Sequence, residues 1–409
     1  MNWSAGQDDA LRVCSRWLRD KDGPQVFYLA GYAGTGKTTL ARHLVDDQWL
    51  FAAYTGKASH VLRQKGCPGA TTIHSLIYRP NGESKAQEIR DIDKELLIYT
   101  MKETLDRIEQ ERFAFLMKLR DKLLQDKRPR FTLWSNSPMG DRNVVGVVVD
   151  EVSMVDQRLA EDLESFGKKI LVLGDPAQLP PVGAGGYYTN RHPDVMLTDV
   201  HRHARESGIL RLATMIREGE QIDYSQNSAD VEILYRETTS RSQLAAYALE
   251  ADQVLVGLNA TRKSMNTRYR ELLGFEDPTP APNDRLVCLK NDHSLGLFNG
   301  SQWKVKKADS DTDQMVTIME LESEDMPGLQ LEVGAWLHHM MGIDRINRSF
   351  DNDDFAEFDW SYALTVHKAQ GSQWDHVMLY DQSGAFRADR RKWLYTGVTR
   401  ASKKLRVIL

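Results

Sequence analysis

Residues 31–38 read Gly31-Tyr-Ala-Gly-Thr-Gly36-Lys37-Thr38, a glycine-rich loop between an apolar run at 25–30 and a predicted helix at 38–45. The spacing matches G-x-x-x-x-G-K-[ST], in which glycines let backbone amides point at phosphate oxygens and the helix N-terminus adds positive potential. In this pattern the lysine holds the β- and γ-phosphates and the threonine ligates magnesium. The loop therefore predicts a nucleotide site between a strand and a helix. The alternative is a glycine turn with a solvated lysine.

Two adjacent carboxylates end a second apolar run, Val147-Val-Val-Asp150-Glu151. At the end of a neighbouring strand, Asp150 is placed to organise magnesium and Glu151 to polarise a water for attack on the γ-phosphate. The pair favours hydrolysis over phosphoryl transfer, because a kinase gains nothing from an activated water beside that phosphate. The alternative is that both acids cap the following helix near Ser153.

A third strand, at 170–173, leads into Gly174-Asp-Pro-Ala-Gln178-Leu-Pro-Pro181. A neutral polar side chain such as that of Gln178, at the carboxyl end of a strand, can bond both a γ-phosphate and an attacking water. It could therefore sense hydrolysis. The alternative is an exposed glutamine in a proline-rich turn.

The composition is that of an ordinary folded protein. Its 53 basic and 58 acidic residues give a net charge of −5 over 409 residues, which neither indicates nor excludes a nucleic-acid partner. Cys14, Cys67 and Cys288 lack the paired spacing of a disulfide framework or a zinc site. Residues 1–9 carry no basic segment followed by an apolar run, and no apolar stretch is long enough for a membrane span. We expect a cytoplasmic protein without membrane contact.

Short apolar runs alternate with segments of helical length along most of the chain. The runs lie at 25–30, 50–54, 144–149, 170–173, 253–257, 362–365, 376–379 and 405–408. Parallel strands buried on both faces have this continuous apolar character. The sequence therefore predicts two α/β cores in tandem.

Two segments interrupt the alternation. Residues 83–127 contain no glycine or proline and keep apolar residues at three- and four-residue steps, which predicts a long amphipathic helix or a helical hairpin. Residues 297–337 alternate β-type runs with glycine and acidic turns, which predicts a small β module.

Motifs along nearly the whole chain follow the order found in one known family. They are Gln7, the glycine-rich loop at 31–39, Tyr54-Thr-Gly-Lys-Ala58, Thr71-Thr-Ile-His74, Val149-Asp-Glu-Val-Ser-Met154, Gly174-Asp-Pro-Ala-Gln-Leu-Pro180, His201-Arg202, Thr365-Val-His-Lys-Ala-Gln-Gly371 and Tyr395-Thr-Gly-Val-Thr-Arg400. This set resembles the superfamily 1 helicases, and its details are similar to the 5′-to-3′ branch of RecD-like and Dda-like enzymes.

The resemblance implies an α/β fold with two tandem RecA-like motor domains built on parallel sheets. The first would carry a helical or hairpin insertion and the second a small SH3-like β insertion. The expected boundaries are 1–78 with 139–200 for the first motor domain, 79–138 for its insertion, 201–296 with 359–409 for the second motor domain, and 297–358 for the β insertion.

The resemblance also implies ATP and Mg²⁺ as ligands and assigns roles at the nucleotide. The residues expected in catalysis are Lys37, Glu151, Gln178, Arg202 and Arg400, where the two arginines reach the γ-phosphate from the second motor domain. Thr38 and Asp150 would hold the metal. The residues expected to contact ATP are Gln7, Gly31, Ala33, Gly34, Thr35, Gly36, Lys37, Thr38, Thr39, Gln370 and Gly371.

A second set of residues lies in motifs that touch single-stranded DNA in this family. It comprises Thr55, Lys57, Thr72, His74, Asn259, Asn299, Thr365 and His367. Hydroxyls and lysines suit phosphates, and a histidine can stack or donate. The alternative for each histidine is that of a packed core residue.

The segment Arg130-Phe-Thr-Leu-Trp134 lies where the family has a strand-separating β-hairpin, called the pin. Phe131 or Trp134 would be its wedge. An equal alternative is that this segment packs the helical arm against the core.

These expectations together predict an ATP-dependent DNA helicase that moves 5′-to-3′ on single-stranded DNA and unwinds tailed duplexes in replication, recombination or repair. We expect a monomer in the cytoplasm of a bacterial or phage-infected bacterial cell. One alternative is a DNA-stimulated ATPase that remodels or packages DNA without unwinding. Another is a scaffold whose helical insertion docks a replication or recombination protein.

Overall fold

The computed structural model describes residues 3–80, 82–100, 102, 107–125, 131–134, 137–180, 186–199, 207–292, 295, 297–325, 328–343 and 355–409. It divides into two compact units. One consists of Met1–Ile73 and Arg142–Leu409, and the other is His74–Asp141.

The described strands are, in chain order, β1 (Val26–Gly31), β2 (Trp49–Ala53), β3 (Thr71–Thr72), β4 (Tyr78–Pro80), β5 (Phe131–Leu133), β6 (Gly146–Asp150), β7 (Lys169–Gly174), β8 (Val195–Leu197), β9 (Val231–Leu234), β10 (Gln253–Val256), β11 (Arg285–Cys288), β12 (Gln302–Asp311), β13 (Val316–Ser323), β14 (Gln330–Trp336), β15 (Ala356–Trp360), β16 (Ala363–Thr365), β17 (Trp374–Tyr380) and β18 (Ala401–Ile408).

The described α-helices are α1 (Ala5–Arg19), α2 (Lys37–Leu44), α3 (Gly56–Gln64), α4 (Ile73–Ile77), α5 (Gly82–Thr100), α6 (Arg107–Gln125), α7 (Gln157–Glu164), α8 (Gly208–Glu218), α9 (Arg241–Glu250), α10 (Asn259–Leu272) and α11 (Arg390–Val398). None of these helices is both long and apolar enough to cross a membrane.

The first sheet has the order β3-β2-β6-β7-β1-β8, and all of its strand pairs are parallel. Every residue of β1 is buried, as the apolar run predicts for a strand covered on both faces. Because the carboxyl ends of parallel strands meet at one edge, the loops after β1, β6 and β7 converge there. These are the loops that carry the glycine-rich motif, Glu151 and Asp175.

The second sheet has the order β16-β10-β17-β18-β9 and is also parallel throughout. Strands β11 to β15 form a closed barrel. Its interior includes the buried side chains of Trp303, Met319 and Phe358. The predicted fold class, two parallel-sheet cores with a small barrel in the second, is confirmed. The barrel strands span residues 285–360, so they include β11, which lies before the expected start of the insertion at 297.

The unit His74–Asp141 contains the helical hairpin. Helices α5 and α6 pack through Ile92, Leu96 and Leu116, and an ion pair joins Arg112 to Glu95 on their surface. Strands β4 and β5 pair antiparallel, with Tyr78 opposite Leu133. The sequence predicted either one long helix or a helical hairpin for residues 83–127. The structure has two helices that pack against each other, which is the hairpin.

Candidate functional site

The glycine-rich loop connects β1 to the N-terminus of α2. Gly34 and Gly36 adopt φ values of 77° and 80°, a region that favours glycine. The Lys37 ammonium donates to the carbonyl oxygens of Gly31 at 2.7 Å and Tyr32 at 3.1 Å. The partly buried lysine therefore folds back over its own loop, which favours a phosphate-binding loop over a glycine turn with a solvated lysine.

The carboxylates after β6 lie against this loop. The Thr38 hydroxyl donates to Asp150 Oδ2 at 2.8 Å, and the Glu151 amide donates to Asp150 Oδ1 at 2.8 Å. The Glu151 side chain makes no capping hydrogen bond to the short 3₁₀ turn that follows. Helix α7 is instead capped by Asp156, which accepts from the Leu159 amide. The capping alternative for the Asp150–Glu151 pair is therefore wrong.

Glu151 is held in an unusual state. Its backbone has φ 55° and ψ 44°, a left-handed conformation that costs a non-glycine residue about 1–3 kcal/mol and is concentrated at functional sites. Burial raises the pKa of its carboxyl group, and the charge of Asp150 raises it further, while Arg400 and Lys37 oppose the shift. A carboxyl group with a raised pKa is a better proton acceptor, as a general base requires.

Gln178 follows β7 and is 8% exposed, so the alternative of an exposed glutamine is wrong. Its side-chain carbonyl oxygen is buried and has no hydrogen-bond partner in the part of the chain that the structure describes. A buried acceptor without a partner costs free energy unless a ligand or water supplies a donor. This side chain lines a cavity of about 330 Å³.

The same cavity is lined from both sheets. The first sheet contributes Lys37, Thr38, Asp150 and Glu151, and the segment after β16 together with the end of α11 contributes the residues Gly371, Ser372, Gln373, Thr399 and Arg400. The structure thus brings together most of the residues that the sequence predicts for ATP, including its predicted metal ligands.

Arg400 is buried and presents its guanidinium to neutral oxygens. It donates to the carbonyls of Thr396 at 3.0 Å and Ser372 at 3.1 Å, and to the Thr399 hydroxyl at 3.1 Å. Among its described hydrogen bonds none goes to a carboxylate, so its charge remains available to an anion in the cavity. Arg202, the second predicted arginine, lies outside the described residues, as does His201.

Two buried glutamines, Gln7 and Gln370, donate hydrogen bonds to backbone carbonyls of the loops around the cavity. Gln7 is buried, closes a capping box with Ser4 at the start of α1, and donates to the Thr35 carbonyl of the glycine-rich loop at 3.0 Å. Gln370 donates to the Leu179 carbonyl at 2.7 Å, which connects the second sheet to the turn that carries Gln178.

Some of the residues expected to touch DNA lie where the two sheets and the barrel meet. Thr55 caps α3 by accepting from the Ala58 amide, and a Cβ on Gly371 would lie 3.2 Å from its hydroxyl. Lys57 is largely buried, pairs with Asp325 of the barrel at 2.9 Å, donates to the Gln302 side-chain oxygen at 3.2 Å and lies over the ring of Trp374.

The remaining predicted DNA residues are distributed over several elements. Thr365 is buried and accepts from the Lys368 amide, and the His367 ring lies 5.4 Å from that of Phe386. Burial lowers the pKa of His367. Asn259 accepts from Arg262 at the start of α10.

Asn299, in a barrel loop, donates its amide to Asn291 at 2.7 Å. Thr72 is a buried residue of β3. In the other unit, the His74 ring lies 5.7 Å from that of Tyr78. These contacts leave the DNA roles of the whole set as predictions.

The pin segment is partly described. Phe131–Leu133 forms β5, the Trp134 amide donates to the Ile77 carbonyl at 2.8 Å, and Trp134 is half-buried. Arg130 lies outside the described residues. A β-ribbon is therefore present at this position, and the wedge role of Phe131 and Trp134 stays a prediction.

Sequence reasoning missed two residues of the site. The Tyr395 hydroxyl accepts from the Ala33 amide at 2.9 Å and donates to Asp175 Oδ2 at 2.7 Å. Both residues belong to quoted motifs, but neither motif indicates that a tyrosine and a carboxylate meet across two sheets.

Comparisons with known proteins show the family to which this chain belongs. A family model described as an AAA domain matches residues 3–234, more than half of the chain. The chain belongs to this AAA-domain family. A second model, described as a UvrD-like helicase C-terminal domain, matches residues 361–408. Together with the two RecD relatives described next, these matches confirm the resemblance to RecD-like members of superfamily 1.

Two relatives of this AAA-domain chain are RecD proteins. The ATP-dependent RecD2 DNA helicase of Deinococcus radiodurans is 27% identical over 410 residues, covering 93% of this chain and 46% of the relative. The RecBCD enzyme subunit RecD of Mycolicibacterium smegmatis is 25% identical over 402 residues, covering 93% and 67%. The chain thus spans about half the length of the RecD2 relative.

Solved structures of Pif1 helicases share the fold. The Bacteroides Pif1 helicase in complex with ADP-AlF3 and ssDNA has a TM-score of 0.53 at 15% identity, and the alignment covers 100% of this chain and 92% of that one. At this identity the similarity establishes the fold alone.

Proposed function

We propose that this protein is an ATP-driven motor that moves 5′-to-3′ along single-stranded DNA and unwinds tailed duplexes. The observation that carries the proposal is the cavity in which Lys37, Glu151 and Gln178 of the first sheet face Arg400 of the second. A nucleotide that bridges two cores can draw them together, and its hydrolysis releases them. The relative that is named as an ATP-dependent DNA helicase supports the same activity.

The donor set after β1 and β6 fits a magnesium ion. Thr38 and Asp150 present hydroxyl and carboxylate oxygens within 2.8 Å of each other, and oxygen is the ligand that Mg²⁺ prefers. When bound, Mg²⁺ neutralises charge on the β- and γ-phosphates. Thr38 and Asp150 would hold it, and Lys37 would leave its carbonyl partners for the phosphates.

Hydrolysis at the γ-phosphate needs a base that deprotonates the attacking water and a neutral polar group that orients it. Glu151, with its raised pKa, accepts a proton from the attacking water. The unpartnered oxygen of Gln178 accepts the other hydrogen of that water. Arg400 offsets the charge that develops on the phosphate in the transition state, as an arginine finger does.

The proposed partners are single-stranded and tailed duplex DNA, in replication, recombination or repair. We place the protein in the cytoplasm, as a monomer. The domain boundaries are those that the sequence predicts, except that the β insertion covers residues 285–360, where the barrel strands lie. The His74–Asp141 unit would offer its helical hairpin to a replication or recombination protein.

The experiment that tests the proposal is an ATPase assay with and without single-stranded DNA. DNA should stimulate hydrolysis by the wild type, and Lys37→Ala should abolish it by weakening nucleotide binding. An unstimulated rate would contradict the motor. Stimulated hydrolysis without strand displacement would instead support an ATPase that remodels or packages DNA.

A further inference from the structure

Tyr395 lies on α11 of the second core and reaches across to the first. It is 2% exposed and is among the largest fully buried side chains. Its hydroxyl group accepts from the Ala33 amide and donates its single proton to Asp175. A phenolic oxygen has one proton to donate, so both bonds fix its orientation.

The two partners of this hydroxyl group belong to different loops of the first core. Ala33 belongs to the glycine-rich loop. Asp175 shapes the turn after β7, because its side chain accepts from the Ala177 amide at 3.0 Å and its carbonyl accepts from the Gln178 amide at 3.1 Å. The hydroxyl therefore connects the glycine-rich loop to the turn that positions Gln178.

The next residue of α11 makes a second connection to that turn. The Thr396 hydroxyl accepts from the Leu179 amide at 2.9 Å, and the Thr396 carbonyl accepts from the Arg400 guanidinium. Tyr395 and Arg400 are thus both held at the end of the same helix, Tyr395 as a residue of α11 and Arg400 through its bond to the Thr396 carbonyl.

We propose that Tyr395 is a positioning residue that couples the glycine-rich loop to Gln178 and Arg400, so that these two side chains reach the γ-phosphate together. This inference rests on the proposed ATPase. The hydroxyl touches neither substrate nor metal in this role. It acts through the Ala33 amide and the Asp175 carboxylate, and its loss should slow turnover more than it weakens nucleotide binding.

The test is Tyr395→Phe, which removes the hydroxyl and keeps the buried ring. The matched control is Tyr28→Phe, because the Tyr28 hydroxyl is also buried near Gly174 but has no partner in the described part of the chain. With saturating single-stranded DNA, Tyr395→Phe should lower kcat at least about tenfold and change the KM for ATP less than about threefold. Tyr28→Phe should change neither by more than about twofold.

Three outcomes are informative. If the wild type shows no DNA-stimulated hydrolysis, the proposed function fails, whatever Tyr395 does. If the wild type is stimulated but Tyr395→Phe matches Tyr28→Phe, or if KM rises as much as kcat falls, the positioning role is overturned.

A double variant gives a second measure. If the hydroxyl acts through Asp175, Tyr395→Phe combined with Asp175→Asn should lose little more kcat than the worse single variant, whereas independent effects would multiply and contradict the coupling. Should Tyr395→Phe fail to fold by circular dichroism, Asp175→Asn alone must show the kcat-selective loss. Wild-type kcat in that variant would overturn the proposal.

Discussion

Glu151 combines a left-handed backbone with a partly buried carboxyl group beside Asp150. The backbone conformation turns the chain sharply at the end of β6, so that one carboxylate meets Thr38 while the next enters the cavity. The strain is sustained by the buried strand before it and by the Asp150–amide bond. The two adjacent carboxylates therefore have different surroundings, as their different proposed roles require.

Glu151→Gln should retain nucleotide binding and lose turnover by about 10²–10⁴-fold, because the amide keeps the shape and removes the proton acceptor. Steady-state ATPase and equilibrium binding of a fluorescent ATP analogue measure the two effects separately. Hydrolysis near the wild-type rate would show that another group is the base.

The pH dependence of hydrolysis should reflect the raised pKa of Glu151. Only the ionised form accepts a proton, so the rate should fall as pH drops through that pKa, with the acid limb above the ordinary value of 4.5. The residual rate of Glu151→Gln should lack this limb. That control separates Glu151 from Asp175, whose pKa burial also raises. An acid limb at or below 4.5 would contradict the assignment.

At the scale of elements, Lys57 on α3 connects three parts of the chain. It contacts Asp325 and Gln302 of the barrel and Trp374 at the start of β17, and Gln302 in turn donates to Gln253 of β10 at 2.8 Å. The family resemblance predicts a DNA contact for this lysine, yet its ammonium group is engaged within the protein. The buried pair holds the barrel against the first core.

Asp325→Asn should destabilise the protein by about 3–5 kcal/mol, because it leaves the Lys57 charge buried without a counter-charge. The matched control is Asp375→Asn, which breaks an ion pair with Lys403 that is mostly exposed, and it should leave stability unchanged. Urea denaturation of both variants measures the difference. Equal stability of the two variants would show that the Lys57–Asp325 ion pair does not hold the barrel against the first core.

The β4–β5 ribbon tests the strand-separating role. Replacing Phe131 and Trp134 by alanine should spare DNA-stimulated ATPase and reduce duplex unwinding, if the two aromatics wedge between bases. Strand displacement and ATPase rates should be compared on the same preparation. A lower thermal midpoint with loss of both activities would show that these residues pack the helical arm.

The sequence predicted the elements whose evidence is local. The apolar run Val147-Val148-Val149 indicated a strand covered on both faces, as β6 is. The glycines of the glycine-rich loop indicated a turn, and Gly34 and Gly36 have the positive φ values of one. The expected start of the barrel at 297 missed β11, because its pairing with β12 and β15 is long-range. Residues 285–288 carry no sign of that pairing. The hydrogen bonds of Tyr395 to Ala33 and Asp175 could not be predicted for the same reason, because these residues are distant in the sequence.

In the molecule as a whole, the described residues place the proposed nucleotide cavity between two parallel sheets, with the barrel joined to the second. The family resemblance implies an ATP site that is common to motors of either polarity, so the residues of the proposed site leave the direction of movement open. The barrel is the element on which the polarity prediction rests, since the resemblance assigns a small β insertion to the 5′-to-3′ branch.

The most direct test of the motor is strand displacement on two duplexes of identical sequence, one with a 5′ single-stranded tail and one with a 3′ tail. With ATP and Mg²⁺, the protein should displace the strand of the 5′-tailed duplex and show little activity on the 3′-tailed one, and Glu151→Gln should displace neither. Preferential unwinding from the 3′ tail would contradict the direction while leaving the ATPase in place. Failure on both duplexes, with ATP hydrolysis intact, would contradict the helicase itself.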